Sequence, residues 1–196
     1  DAAAAFPAQM LAVGAGEHPA PLRLDVADAG ACTARTAALH VAAGGDVTVF
    51  VTLTAANPLA FRLDVTLDAG AHAKVVLLEH PTGGTVVRTE THTTCEADAK
   101  IEYLTILLGD GDLYADQHAE LVGDGSALKA DIAYFGRGTQ TVDCNIVANH
   151  FGRKTNSEIL ASGALADAAK KVFRGTIDFK RGCADSVGSE NETVLM

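Results

Sequence analysis

The sequence predicts an all-β chain wound as a parallel β-helix of about 26–27 residues per coil, and three observations carry that prediction. The first is period two: Val47-Thr-Val-Phe-Val-Thr-Leu-Thr54 and Phe61-Arg-Leu-Asp-Val-Thr-Leu67 alternate apolar with polar, as half-buried strands do. The second is spacing. Small or polar turn residues recur near Gly44, Gly70, Ala97, Asp124 and Phe151, and a second set near Asn57, Gly83, Asp110, Arg137 and Gly163, at intervals of 26 or 27. A fixed beat of this length is the signature of a solenoid, and hairpin turns of a sandwich do not hold one. The third is composition: the chain is 48% hydrophobic but 5% aromatic and lacks Trp, so its apolar mass is Ala, Val, Leu and Ile, which suit closely stacked strands.

Taken in order, residues 1–34 are Ala-rich with Pro7, Pro19 and Pro21, and read as a short helix or irregular cap. Residues 35–196 read as the β-helix core. The beat places Arg88, Glu90 and His92 on one face, with Tyr114, Asp116 and His118 one coil on, then Thr141, Asp143 and Asn145. The alternate positions run Thr89, Ala115, Val142; Thr91, Gln117, Cys144; and Thr93, Ala119, Ile146. They grow more apolar along the axis and are expected to face inward. The outer face then carries a carboxylate ladder beside a His/His/Asn ladder. Such residues ligate divalent metals, so His92, His118, Asp116 and Asp143 are the candidates for a metal site. A solvated charge ladder is the plainer reading.

Other chemistry is sparse, and no catalytic set is expected. The sequence contains no P-loop, no G-x-S-x-G elbow and no H-E-x-x-H. The cysteines, Cys32, Cys95, Cys144 and Cys183, are separated by 63, 49 and 39 residues, none near a multiple of the coil. No two should stack, and a closed four-thiolate cluster within one chain is not expected. The formal charge of −10 argues against a nucleic-acid partner. That charge is uneven: Arg137–Arg181 holds eight of the fifteen basic residues and four acids, a basic segment suited to an acidic partner. No apolar run reaches membrane-spanning length. The start, which lacks an initiating Met as a processed chain would, has no basic segment ahead of its apolar residues; a cytoplasmic chain with reduced thiols is expected.

From His150 to Ala184 the residues carry a resemblance. Gly109, Gly123-Asp-Gly-Ser-Ala127, Gln140, Asp143, His150, Thr155, Ser157, Gly163, Asp167, Phe173-Arg-Gly175, Ile177 and Ala184 fall in the order of a known pattern. The chain resembles the SufB/SufD family, scaffold subunits of the SUF iron–sulfur assembly system, over about residues 38–196. Asn149-His-Phe-Gly-Arg153 looks like the SufB form of the motif, and Ser189–Met196 like the SufD approach to a terminal leucine run. The resemblance implies a right-handed β-helix that pairs with a SufB-like subunit or a second copy through its end, and works with a SufC-type ABC ATPase. That ATPase docks on a helical domain which follows the core in the family, and the chain stops before it. Departures favour a SufD-like role. The lysine that commonly precedes the Gly163 position is Ser162 here, and the family's two SufB cysteines would fall near Ala119 and Asn191.

The expectation is a non-enzymatic, SufD-like scaffold that binds no cofactor tightly by itself, with an iron–sulfur cluster passing transiently through the complex. The alternative is a metal-dependent, polysaccharide lyase-like β-helix using Glu90, Asp116 and Asp143. Strands at an open solenoid end invite pairing, so Phe173, Arg174, Ile177, Phe179, Val194 and Leu195 are the expected partner interface.

Overall fold

The computed structural model describes residues 9–196 and contains fourteen strands. They are β1 (Gln9–Val13), β2 (Leu22–Ala27), β3 (Thr33–Val41), β4 (Asp46–Ala55), β5 (Leu59–Leu67), β6 (His72–Pro81) and β7 (Val86–Cys95). Then follow β8 (Lys100–Leu107), β9 (Asp112–Leu121), β10 (Ala127–Gly136), β11 (Thr141–His150), β12 (Asn156–Leu165), β13 (Lys170–Phe179) and β14 (Val187–Leu195). Odd strands form one seven-stranded sheet in the order β1-β3-β5-β7-β9-β11-β13, and even strands form the other. Neighbouring strands are parallel throughout. The fold is thus a parallel β-solenoid, two strands per coil, with the core squeezed between two sheets.

Period two explains the core directly. On β4 the buried residues are Val47, Val49, Val51, Leu53 and Ala55, and on β5 Leu59, Phe61, Leu63, Val65 and Leu67. Their outward neighbours stay partly or fully exposed. Each methylene removed from water contributes about 0.8 kcal/mol, so one coil of aliphatic side chains offsets much of the cost of ordering it.

The corners are built as regularly as the strands. One corner places Gly16, Gly44, Gly70, Asp98, Gly125, Lys154 and Asp185 at positive φ, one residue per coil. Each of these residues from Gly16 to Lys154 donates its N–H to the next coil: Gly44 to Ala69 O, Gly70 to Ala97 O, Asp98 to Asp124 O, Lys154 to Ala184 O. The ladder therefore continues around the bend, and Asp98 and Lys154 adopt a left-handed backbone to maintain it.

Three expectations are corrected. The described part of residues 1–34 holds no helix; Leu22, Leu24 and Val26 alternate, and β2 stacks on β4 as β1 stacks on β3. The part of that expectation falling on residues 1–8 lies outside the described residues. The coil is also not constant. Asp46 pairs with His72, an offset of 26, but Ala127 pairs with Asn156 and Asn156 with Val187, offsets of 29 and 31. Longer turns around Arg137–Gln140, Phe151–Thr155 and Lys180–Ser186 supply the extra residues.

Gly163, expected in a turn, lies inside β12. A Cβ there would meet the Tyr134 ring at 2.1 Å. The glycine makes room for an inward Tyr134 whose hydroxyl donates to Glu192 Oε1 at 3.1 Å. The turn itself falls later, around Asp167 at positive φ. Gly163→Ala is expected to lower stability by about 1–3 kcal/mol through overpacking. Tyr134→Leu in the same chain should recover part of the loss in a thermal melt.

Candidate functional site

The outer face of the odd sheet settles where the His/carboxylate ladder sits. Glu90 pairs with Asp116 and His92 with His118, as the coil beat predicts. Beyond β9 the register slips by two: Asp116 pairs with Asn145, His118 with Val147, and Asp143 with Tyr114. The 29-residue coil causes the slip, and a slip of two keeps every side chain on its expected face. The column Glu90–Asp116–Asp143 is therefore replaced by Arg62–Glu90–Asp116–Asn145–Arg174.

In this lattice Asp116, Asp143 and His92 already have hydrogen-bonded partners, and His118 is stacked on His92. Arg88 Nη2 donates to Asp116 Oδ2 at 2.9 Å and Asn145 Nδ2 to Asp116 Oδ1 at 2.8 Å. Arg174 Nη2 donates to Asp143 Oδ1 at 2.5 Å. His92 Nε2 meets Glu90 Oε1 at 2.6 Å. The His92 and His118 rings stack 5.2 Å apart at 10°, which points their in-plane lone pairs side by side rather than at one ion. Among the described residues, no three His, Cys, Asp or Glu side chains are placed to hold a metal. The lattice is a cross-strand network of the kind that contributes modestly per pair.

Inside the solenoid lies a polar seam that the sequence reading did not single out. Glu79 is fully buried and accepts a hydrogen bond from Thr89 Oγ1 at 2.5 Å. Thr93 Oγ1 and the Tyr103 hydroxyl share one at 2.6 Å, and Gln117 Nε2 donates to Thr105 Oγ1 at 2.8 Å. Burial pushes the Glu79 carboxyl up to about 8, with the Thr89 bond pulling the other way. The signal was available: in Val75-Val-Leu-Leu-Glu79 the period puts the acid on the inward face.

Two thiols share that interior. Cys95 and Cys144 are buried, and burial lifts both to about 12, with nearby carboxylates adding to the shift. Cys95 pairs with Leu121, and Cys144 with Ala115 and Phe173, so no cysteine stacks on another in these ladders. Cys32 is exposed and Cys183 half-buried.

The remaining polar cluster lies near the C-terminal end. His150 closes β11, is fully buried, and its Nδ1 lies 2.6 Å from Thr155 Oγ1 and its Nε2 2.9 Å from Ser157 Oγ. The Thr155 hydroxyl donates to Ser186 Oγ at 2.8 Å, and Ser186 to Gly152 O at 3.2 Å. With those donors spent, Thr155 accepts from His150 Nδ1–H, and in the neutral ring Nε2 accepts from Ser157. Desolvation lowers the His150 pKa and favours the same state. Phe179 covers the ring at 4.6 Å. His150, Thr155 and Ser157 thus act together as an internal clamp between the last coils. Gln140 is a second clamp: its Nε2 donates to Gly109 O and Gly111 O, and its Oε1 accepts from Arg137 N–H.

Beyond His150 the core is open. Phe173, Ile177 and Phe179 lie in register with inward Cys144, Ala148 and His150, and Val194 with the inward Gly163 position. Phe173, Ile177 and Val194 are only partly buried and Phe179 is 47% exposed, because among the described residues no further coil covers them. Arg174 and Leu195 point outward instead, Arg174 onto Asp143. Lys171 and Glu192 form an ion pair on the inward side of the same coil.

The fold and site together define a parallel β-solenoid whose outer face carries cross-strand ion pairs and whose interior carries polar clamps between coils. A model of the SUF system FeS cluster assembly SufBD core domain matches residues 25–196, and the chain belongs to that family. It is similar to the iron-sulfur cluster assembly protein SufD of Bacillus subtilis (strain 168), at 31% identity over 99 residues, which is 50% of this chain and 23% of that protein. The chain therefore matches under a quarter of that relative's length.

Two measurements check the interior. Folded Glu79 keeps its proton up to about pH 8, whereas unfolded it releases it near its ordinary value of 4.5. The folded state binds more protons between those values, so stability falls as pH rises through that window and levels off above it. Glu79→Gln should flatten this part of the melting-temperature profile; an unchanged slope contradicts the assignment. In the native chain, a thiol reagent should label Cys183 and Cys32 first, and Cys95 and Cys144 only on unfolding.

Proposed function

We propose that this chain is a SufD-like structural subunit of SUF iron–sulfur cluster assembly, not an enzyme, acting in the cytoplasm. The observation that carries the reading is the C-terminal coil: among the described residues β13 and β14 are the outermost strands of the two sheets, and the inward Phe173, Ile177, Phe179 and Val194 are only partly buried. Unpaired strand edges over a partly exposed core favour strand addition by another chain. A SufB-like subunit, or a second copy, supplies that edge. The SufC-type ABC ATPase works with the assembled complex through segments of the full-length subunits outside this core. An iron–sulfur cluster is cargo of the assembly; the buried, protonated Cys95 and Cys144 are poor ligands for it, and Cys32 and Cys183 are the accessible thiols.

The family membership supports this reading over a polysaccharide lyase-like enzyme. So does the pairing of Glu90, Asp116 and Asp143 with His92, Arg88 and Arg174, which engages each carboxylate of that ladder.

The test is association. Ile177→Asp with Val194→Asp should weaken binding to a SufB-like subunit at least about tenfold, given that buried interface charges cost several kcal/mol. Light scattering and co-purification with the SufB-like chain and the ATPase measure it. Unchanged association by a folded variant places the interface elsewhere.

A further inference from the structure

The outer face of the even sheet is unlike that of the odd sheet. One column across it runs Phe50, Val76, Leu104, Asp131, Leu160, and the next Thr52, Leu78, Ile106, Ala133, Ser162. Val76, Leu78, Leu104 and Ile106 point away from the core and are only half-buried, and Leu160 is 37% exposed. Arg23 lies over the Phe50 ring at 5.7 Å, so the uncovered stripe begins at Val76. An apolar stripe of this extent on a sheet face marks an interaction surface.

Beside it lies a ladder that identifies the occupant. Lys74, Glu102, Lys129 and Glu158 occupy one column on successive strands, alternating in charge. Lys129 is held in that column by its own Asp131, at 3.3 Å. Hydrogen bonding and charge from Asp131 raise the Lys129 pKa, with Glu158 and Glu102 adding to it. A partner of one sign is repelled by half of such a ladder. A surface that alternates at the same strand spacing matches it, and the ladder is its own complement when reversed. Turned end for end, Lys74 meets Glu158 of the second copy and Glu102 meets its Lys129.

We propose that this face is a docking surface for a second copy of the same chain, packed sheet on sheet about a two-fold axis parallel to the strands. The axis passes between β8 and β10, where the ladder is symmetric. Three outward columns about 7 Å apart on the four strands β6, β8, β10 and β12, about 4.8 Å apart, cover roughly 400 Å² per copy. The total of about 800 Å² is the size of a weak, reversible contact. This contact is separate from the open C-terminal coil and does not rest on the function proposed for it.

Charge reversal by halves tests the proposal. Lys74→Glu/Lys129→Glu makes the ladder wholly acidic, and Glu102→Lys/Glu158→Lys makes it wholly basic. Each variant alone should self-associate about tenfold or more weakly than the unaltered chain in sedimentation equilibrium, through like-charge contact. An equimolar mixture of the two should recover the affinity, and so should the fourfold reversal, which restores self-complementarity. Repeating the series with Ile177→Asp/Val194→Asp present removes the end contact and should leave the ladder dependence intact. Circular dichroism confirms that these surface variants fold. A monomeric unaltered chain, half-reversals that associate normally, or a fourfold reversal that fails to recover would each overturn the proposal. The last result assigns the face to a different protein or segment.

Discussion

The parallel ladder that runs unbroken around the corners is the constraint on which everything else depends. A sheet that stopped at each bend would leave buried backbone donors without acceptors, at about 1–3 kcal/mol each. Here Gly44, Gly70, Asp98 and Lys154 carry the hydrogen bonding across the bend, coil after coil. The side chains then have no freedom in register. Interior and exterior become stacked columns, and one residue's neighbours are fixed by the lengths of the turns before and after it. The same constraint gives the molecule two unavoidable edges, because a solenoid cannot close on itself.

That dependence explains what the sequence revealed. Strand identity and facing were legible because period two is local: Thr89, Thr91, Thr93, Gln117 and Cys144 are all inward, as the alternation says. Register was legible only while the turns kept their length. His92 stacks on His118 as expected, but the longer turn at Arg137–Gln140 moves Asn145 from His118 to Asp116. Facing survived because the turn added two residues, and an odd insertion would have inverted β11. Residues 9–27 were misread for another reason. β1 and β2 are 5 and 6 residues long, too short to outweigh Ala-rich composition and three prolines, and they form because β3 and β4 offer templates.

The candidate site was legible to a lesser degree, since its residues acquire meaning only through partners distant in sequence. Gly163 reads as a turn until Tyr134 is placed against it. His150 reads as one of seven scattered histidines until Thr155, Ser157 and Ser186 enclose it. Glu79 sat in plain view in an apolar strand, but alternation alone does not reveal that its carboxyl is sealed in the interior against Thr89. The family pattern collects several of these positions, and in the structure they act as clamps between coils. What resembles a functional motif is in large part the specification of a rigid, correctly wound end.

A rigid end matters if its purpose is to present an edge. The His150 clamp fixes β11 against the turn that leads into β14, and Tyr134, Glu192 and Lys171 tie β10, β13 and β14 together from within. The last described coil is thereby held rigid, and a preorganised edge lowers the ordering cost of association. Hydrogen–deuterium exchange of the amides in 170–179 and 187–195 tests this most directly. In the isolated chain these amides should exchange much faster than those of β9 and β10, and should slow by about tenfold or more when a SufB-like subunit is added. Equal protection of the terminal strands with and without that subunit would contradict the account.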